Sequence, residues 1–540
     1  MKLNQLLGKT PRQFLRLLPV VILAAVTTAA VADNRGHDSD RGRDKAPLTQ
    51  LVLTSEGRVR GFEKDGVRQF LGIPYAAPPV GALRWQPPQA PQQRRQPLRA
   101  LFYGPTCAQI NTLGVFAAPS DSEDCLYLNV FAPEAKKGHG HRSSALPVMV
   151  WIHGGGNFDG ESNDYDGSKL ARDGTVVVTI NYRLNLFGFL AHPALDAEGH
   201  PAANYGIMDQ QFALQWVRRN IRAFGGNPDN VTIFGESAGG QDTLAHLVSP
   251  ASAGLFHRGI IESGAYSLLS GLPTLAAAEA TGQAFATAAG CSNQTAACLR
   301  SLSVQDILTR SDAFNRGIVV DGTIIPQAFG TALAAGQFNR VPLINGTTRD
   351  EFRFFIPLFG GEATAETYPA RIAALYGANA PAVLAHYPLS SFGSASEALA
   401  ATVTDQVFAC TARRLNRLAS KFVPVFAFEF ADRTAPSYAP LPSFPYGAAH
   451  TFEIMYLFPL YHGGLGTPHP LNQAQERLSD DMVDYWTTFA KLGDPNSGYT
   501  PYWPNFTVPA ELVQSLQLPR PVTISTFGTE HQCDFWDGLQ

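Results

Sequence analysis

The segment VTIFGESAGGQDTLAHLVS, residues 231–249, constrains the fold more than any other part of the chain. Four β-favouring residues run straight into a bend of small residues, and a helical pattern begins at once. A strand that enters a helix without an intervening loop needs small residues at the bend, because the helix must fold back on the strand it leaves. Gly235 and Gly239 flank Ser237 at that bend. Other apolar runs are VMVWI (148–152), TVVVTI (175–180), GII (259–261) and PLI (342–344). They are continuous rather than alternating, as strands covered on both faces are. Between them a helical period recurs, as in DQQFALQWVRRNI from Asp209. The pattern predicts a doubly wound α/β architecture around a large, mostly parallel central sheet flanked by helices.

The length of 540 residues would permit several domains, but no long linker or repeat follows residue 47, so one domain is expected over 47–540. Before it, Met1 to Arg16 carries Lys2, Lys9, Arg12 and Arg16 and no acid. The apolar run LLPVVILAAVTTAAVA then ends in Ala30-Val31-Ala32. Basic region, apolar region and A-x-A follow the order of a secretory signal peptide, so residues 1–32 are expected to be removed after Ala32. DNRGHDSDRGRDK and the residue after it make residues 33–46 a charged flexible leader. No later segment is apolar for long enough to span a bilayer, so no membrane span is expected once the signal is removed. The predicted location is secreted or periplasmic, and six cysteines in an exported chain imply disulfides.

A net charge of −4 gives no footprint for nucleic acid. The sequence has no C-x-x-C and no H-x-x-x-H, and Gly138-His139-Gly140-His141 reads as a surface loop, so no metal is expected. HGGGNFDG, beginning at His153, breaks the dinucleotide pattern at Asp159, and no phosphate loop is present, so no cofactor is expected.

A single G-x-S-x-G arises by chance in about one chain in five of this length. Its strand-to-helix setting is what makes Ser237 a candidate nucleophile, with Oγ exposed and a helix N-terminus to favour developing negative charge. At the end of the 148–152 strand stands His153-Gly154-Gly155-Gly156. Three glycines leave backbone N–H groups free to point into a site, the requirement of an oxyanion hole.

Further blocks follow in order: FLGIPYAAPPVGALRW (70–85), SEDCLYLNVF (122–131), WIHGGGNFDG (151–160) and NYRLNLFGFL (181–190). NYGIMDQQFALQWVRRNIRAFGGNPDNVTIFGESAGG (204–240), TRDEF (348–352), AHTFEIMYLF (449–458) and WTTFAKLGDPN (486–496) come after them. From residue 50 to the end the chain resembles the type-B carboxylesterases, a family of serine esterases on the α/β-hydrolase fold. The resemblance implies an acyl-enzyme mechanism on a small-molecule ester, with Ser237 as nucleophile, Glu351 as triad acid and His450 as base. Asp350 is the alternative acid, and Phe352 stands where the family usually has glycine. The implied oxyanion donors are the N–H groups of Gly155, Gly156 and Ala238, with Glu236 as secondary support for His450. His153 is expected to shape the glycine loop, and His246 lies too close behind the serine to be the base.

The resemblance also selects Cys107–Cys125, Cys291–Cys298 and Cys410–Cys533 among the possible pairings, and an ion pair between Arg84 and Glu123. For the substrate it offers less. The first disulfide loop lacks a tryptophan, against choline esters, and is short, against a long lid. Phe354 and Phe355 are expected to wall the pocket. Arg353 is the candidate for a pocket cation, which would suit an acyl group bearing free carboxylates. The first reading is therefore a secreted serine esterase that releases a polycarboxylic acid; the alternatives are a broad-specificity periplasmic carboxylesterase for short-chain esters and, remotely, a non-catalytic adhesion module.

Overall fold

A computed structural model describes residues 46–134, 145–201, 203–314 and 317–539. The expected signal peptide and nearly all of the charged leader lie outside the described residues, as does the Gly138–His141 tract.

Fourteen strands are present among the described residues. A small outlying sheet is formed by β1 (Val52–Thr54), β2 (Gly57–Arg60) and β5 (Leu98–Arg99). The first strands of the main sheet are β3 (Phe62–Lys64), β4 (Val67–Pro74), β6 (Tyr127–Pro133), β7 (Leu146–Ile152) and β8 (Val176–Ile180). They are followed by β9 (Gly226–Glu236), β10 (Arg258–Glu262), β11 (Leu343–Thr348), β12 (Val425–Phe430), β13 (Val513–Leu516) and β14 (Val522–Ile524). The main sheet has the order β14-β13-β12-β11-β10-β9-β7-β8-β6-β4-β3. From β8 through β7 to β13 every pairing is parallel, and antiparallel strands close both edges.

The five apolar runs singled out in the sequence lie in β7, β8, β9, β10 and β11. Helices cover both faces, so each strand divides its side chains between two cores. Val148, Val150 and Ile152 enter one cluster, while Met149 and Trp151 enter the other. The helix Gln473–Leu492 shows how local chemistry sets its limits. Asn472 and Gln475 form a reciprocal capping box at its start, and Gly493 ends it in the left-handed region.

All three expected disulfides are formed. Arg84 grips Glu123 through Nε at 2.7 Å and Nη2 at 2.5 Å and also donates to the carbonyls of Arg300 and Leu302. No helix among the described residues is long and apolar enough to cross a membrane.

Candidate active site

β9 ends at Glu236 and the helix Ala238–Val248 begins two residues later, leaving Ser237 alone at the bend. Its backbone is held at φ 55, ψ −120, a strained conformation for a residue with a side chain. The flanking glycines have a steric cause. A Cβ on Gly239 would lie 1.9 Å from the Ile152 carbonyl oxygen, and one on Gly235 would lie 2.5 Å from the same atom. The bend therefore nests against the end of β7, and Ser237 is partly exposed among buried neighbours.

The glycine loop leaves the end of β7 beside this bend. A Cβ on Gly154 would meet Ser237 Cβ at 3.2 Å, so the loop and the bend are in direct contact. Gly155 and Gly156 have φ of 96 and 65, and Gly155 O accepts the N–H groups of Phe158 and Asp159. Among the described residues, the N–H groups of Gly155, Gly156 and Ala238 donate to no protein backbone acceptor. Unengaged amides beside a serine hydroxyl are what an oxyanion hole requires. His153 anchors the loop: its ring stacks on Tyr182 at 4.5 Å, and its carbonyl accepts the Tyr182 hydroxyl at 2.7 Å. Burial pushes its imidazole down to about 4, so it stays neutral.

Glu351 opens a 3₁₀ turn three residues beyond β11. Its Oε2 meets His450 Nδ1 at 2.5 Å, while Oε1 accepts from Thr347 Oγ1 and from the Thr348 N–H at 2.8 Å. One carboxylate oxygen is thus fixed by β11 and the other orients the imidazole. On the far side of the ring, His450 Nε2 lies 3.2 Å from Glu236 Oε1, off the hydrogen-bonding direction. Ser237 Oγ makes no hydrogen bond to His450 here, although both line one cavity. Catalytic hydrogen bonds commonly align only when substrate is bound.

Glu236 is buried at 1 % exposure, not a surface acid. Burial, and then the charges of Glu453, Glu351 and Glu262, hold its carboxyl well above the usual range. His246 is buried between Ser252 Oγ and Gln210 Oε1 and pushed down to about 3 by desolvation.

Leu113, Phe116, Gly155, Gly156, Phe158, Glu236, Tyr266, Phe355, Phe408 and Thr451 line the cavity with Ser237 and His450. Its free space is about 20 Å³, room for a water molecule. Phe355 reaches this wall, with its ring 4.8 Å from His450. Phe354 does not: it packs behind, against Phe116, Tyr438, Tyr446 and Phe452. Arg353 also points elsewhere. It pairs with Asp350 at 3.3 Å and Glu397 at 3.2 Å and donates to Pro445 O, facing a separate polar cavity. In a 3₁₀ turn residues three apart eclipse, which puts Arg353 over Asp350 and away from Glu351. Asp350 takes two bonds of 2.9 Å from Arg433 and makes none to His450.

Leu113, Phe116, Phe158, Tyr266, Phe408 and Thr451 were not expected from the sequence. Leu113 and Phe116 belong to the first disulfide loop, whose sequence shows its short length and its lack of tryptophan but not which side chains turn inward. Phe158 stands within the glycine motif itself. Phe408 sits on a single π-helical turn, Thr404–Ala409, whose Thr404 Oγ1 accepts the Phe352 N–H at 3.0 Å. No sequence pattern marked that turn.

Comparison with known proteins identifies the family of the chain. The pattern of the carboxylesterase family matches residues 48–536. The para-nitrobenzyl esterase of Bacillus subtilis is 37% identical over 499 residues, covering 88% of this chain and 96% of the relative. The fumonisin B1 esterase of Sphingopyxis macrogoltabida is 34% identical over 482 residues, with 85% of each chain covered. Among solved structures, a PNB esterase superposes with a TM-score of 0.75 at 34% identity, covering 91% of this chain and all of its own.

Proposed function

This chain belongs to the carboxylesterase family and is a serine carboxylic-ester hydrolase, and from that premise we propose that it works through an acyl-enzyme on Ser237. Ser237 Oγ attacks the ester carbonyl as His450 Nε2 takes its proton, and the N–H groups of Gly155, Gly156 and Ala238 receive the oxyanion. Glu351 holds the imidazolium through Nδ1. The tetrahedral adduct collapses with transfer of the proton to the leaving alcohol. Water, deprotonated by His450, then attacks the acyl-enzyme and releases the acid. Glu236 lies beside Nε2 at 3.2 Å, and its support of the charged ring requires its carboxyl, held neutral by burial in the resting site, to ionise as the imidazolium forms. The observation that carries this reading is the bend at Ser237 sharing one cavity with a histidine already held by Glu351.

For the substrate, the cavity wall favours short, uncharged esters. Leu113, Phe116, Phe158, Tyr266, Phe355 and Phe408 give it an apolar lining, and among the described residues no arginine or lysine lines it. A broad-specificity esterase is therefore the first reading. The second is hydrolysis of fumonisin B1 with release of tricarballylate, which the overall sequence pattern also resembles and which the 34% identical relative supports by its name. Such an acyl group would need a cation from outside the present wall, since Arg353 is already engaged by two carboxylates. Export with cleavage after Ala32 is proposed from the leader, and the three disulfides fit an oxidising compartment.

The test uses the mature chain and Ser237→Ala with para-nitrophenyl butyrate and fumonisin B1, following nitrophenol and free tricarballylate. Butyrate cleavage lost in the variant supports the mechanism, and full activity in Ser237→Ala would overturn it. Rapid tricarballylate release by the wild type would favour the second substrate reading over the first.

A further inference from the structure

Asp242 is fully buried one turn into the serine helix, and the steps above do not use it. Its Oδ1 accepts from Asn157 Nδ2 at 3.0 Å and its Oδ2 from Gln210 Nε2 at 2.6 Å. Asn157 directly follows the three glycines and has φ 62, in the left-handed region that asparagine tolerates. Its Oδ1 shares the single Tyr182 hydroxyl proton at 3.2 Å with the nearer His153 carbonyl at 2.7 Å, and its backbone carbonyl accepts the Asn185 N–H at 2.7 Å.

One set of proton directions in this network places an acceptor at position 242. Neutral His246 can receive Ser252 Oγ–H at Nδ1 and donate from Nε2 to Gln210 Oε1, both at 2.9 Å. That leaves Gln210 Nε2 to donate onward to Asp242, where Asn157 also donates. Two donors converge on one side chain, and a carboxylate offers an oxygen to each. Desolvation pushes the Asp242 carboxyl up to about 7, against hydrogen bonds from Asn157, Gln210 and Tyr182 that pull it down.

The proposed oxyanion donors come from two separate segments, the loop after β7 and the first residue of the serine helix. The pairing of Ile152 with Gly235 fixes only their roots. Beyond it the loop has left the sheet, and Asn157–Asp242 is a direct side-chain link from the loop to the helix. Positions 238 and 242 lie on the same face of that helix, one turn apart.

We propose that Asp242 is a positioning residue, which through Asn157 sets the Gly155–Gly156 amides at the right distance from the Ala238 amide. This rests on the oxyanion-hole reading above. Misplacing such donors by about 1 Å costs on the order of 10²-fold in rate. The test compares wild type, Asp242→Asn, Asn157→Gly and the double variant at a pH of about 8.5, where the carboxylate is ionised. Glycine at 157 keeps the left-handed backbone accessible while deleting the amide.

The expected result is a fall in kcat of roughly tenfold to a hundredfold in each single variant, with KM changed less than about threefold. Affinity for a trifluoromethyl ketone, which forms an oxyanion on Ser237, should fall in parallel, and the double variant should be far less impaired than the product of the two losses. Unchanged kcat and ketone affinity in folded Asp242→Asn, with Ser237→Ala inactive, would overturn the positioning role and leave the nucleophile standing. Should Asp242→Asn fail to fold, Asn157→Gly decides by the same two readouts.

Discussion

Asp350 and Glu351 are consecutive in the chain, yet their carboxylates serve different partners. Glu351 Oε2 meets His450 Nδ1 at 2.5 Å, whereas Asp350 is gripped by Arg433 through two bonds of 2.9 Å and accepts the Ala448 N–H at 3.1 Å. The first orients an imidazole, and the second ties the acid loop to the segment that carries it. Glu351→Gln is therefore expected to lower kcat by roughly 10³ to 10⁴, since an amide cannot hold the imidazolium or its tautomer. Asp350→Asn should lower the thermal midpoint while keeping kcat within about tenfold. Steady-state kinetics and melting curves of both variants check this, and the reverse ranking would show Asp350 to be the acid.

Gly239 tests the bend. Its added Cβ would sit 1.9 Å from the Ile152 carbonyl oxygen, a backbone atom of a central strand that cannot move aside. Gly239→Ala should give little or no soluble, active protein, with a destabilisation of about 3 kcal/mol or more. Gly330→Ala, where nothing lies within 4 Å and the backbone is ordinary, should melt and turn over as wild type does.

Chain-length selectivity follows from the aromatic wall. Phe408 lies 5.4 Å from the His450 ring and stacks on Phe355 at 6.3 Å. Phe408→Ala should enlarge the cavity and raise kcat/KM for an octanoate ester relative to butyrate by about tenfold. The ratio is read from para-nitrophenyl esters, so general damage to His450 cancels. An unchanged ratio would place the acyl chain elsewhere.

His531 gives a pH limb to stability. It is buried between Asp405 at 2.6 Å and Glu429 at 2.7 Å. Burial alone would lower its pKa, but the two carboxylates outweigh this and push it up to about 10. A histidine raised in this way stabilises fully below its unfolded value of 6.5, and that contribution is lost as pH rises through about 10. Urea melts should therefore show stability declining between about pH 7 and 10. In His531→Gln that limb should flatten, with a loss of about 3 kcal/mol near neutrality. An identical pH slope in both proteins would refute the linkage.

What the sequence determined by itself is what short-range chemistry dictates. Small residues at 235 and 239 mark a bend where a side chain would strike a neighbouring strand, and glycines at 154–156 mark a loop that approaches the bend at Gly154 and folds tightly on itself at Gly155 and Gly156. Apolar runs covered on both faces gave the parallel strands from β8 to β11. The proposed partnership of Ser237 with Glu351 and His450 rests on family resemblance, because residues so far apart in the chain leave no local trace of meeting.

Only the tertiary structure decided which neighbours of those residues face the reaction. Arg353 is two residues from Glu351 but stands over Asp350, since a 3₁₀ turn brings residues three apart into line. Phe355 enters the cavity and Phe354 packs behind it, a choice made by the cores on either side. Leu113 and Phe116, Tyr266, and Phe408 come to the cavity of Ser237 from three distant segments. The link between Asn157 and Asp242 arises because β7 and β9 pair in parallel and release their next segments at the same edge of the sheet. A pattern along one chain records what each residue prefers, but contacts between segments depend on how the sheet orders its strands.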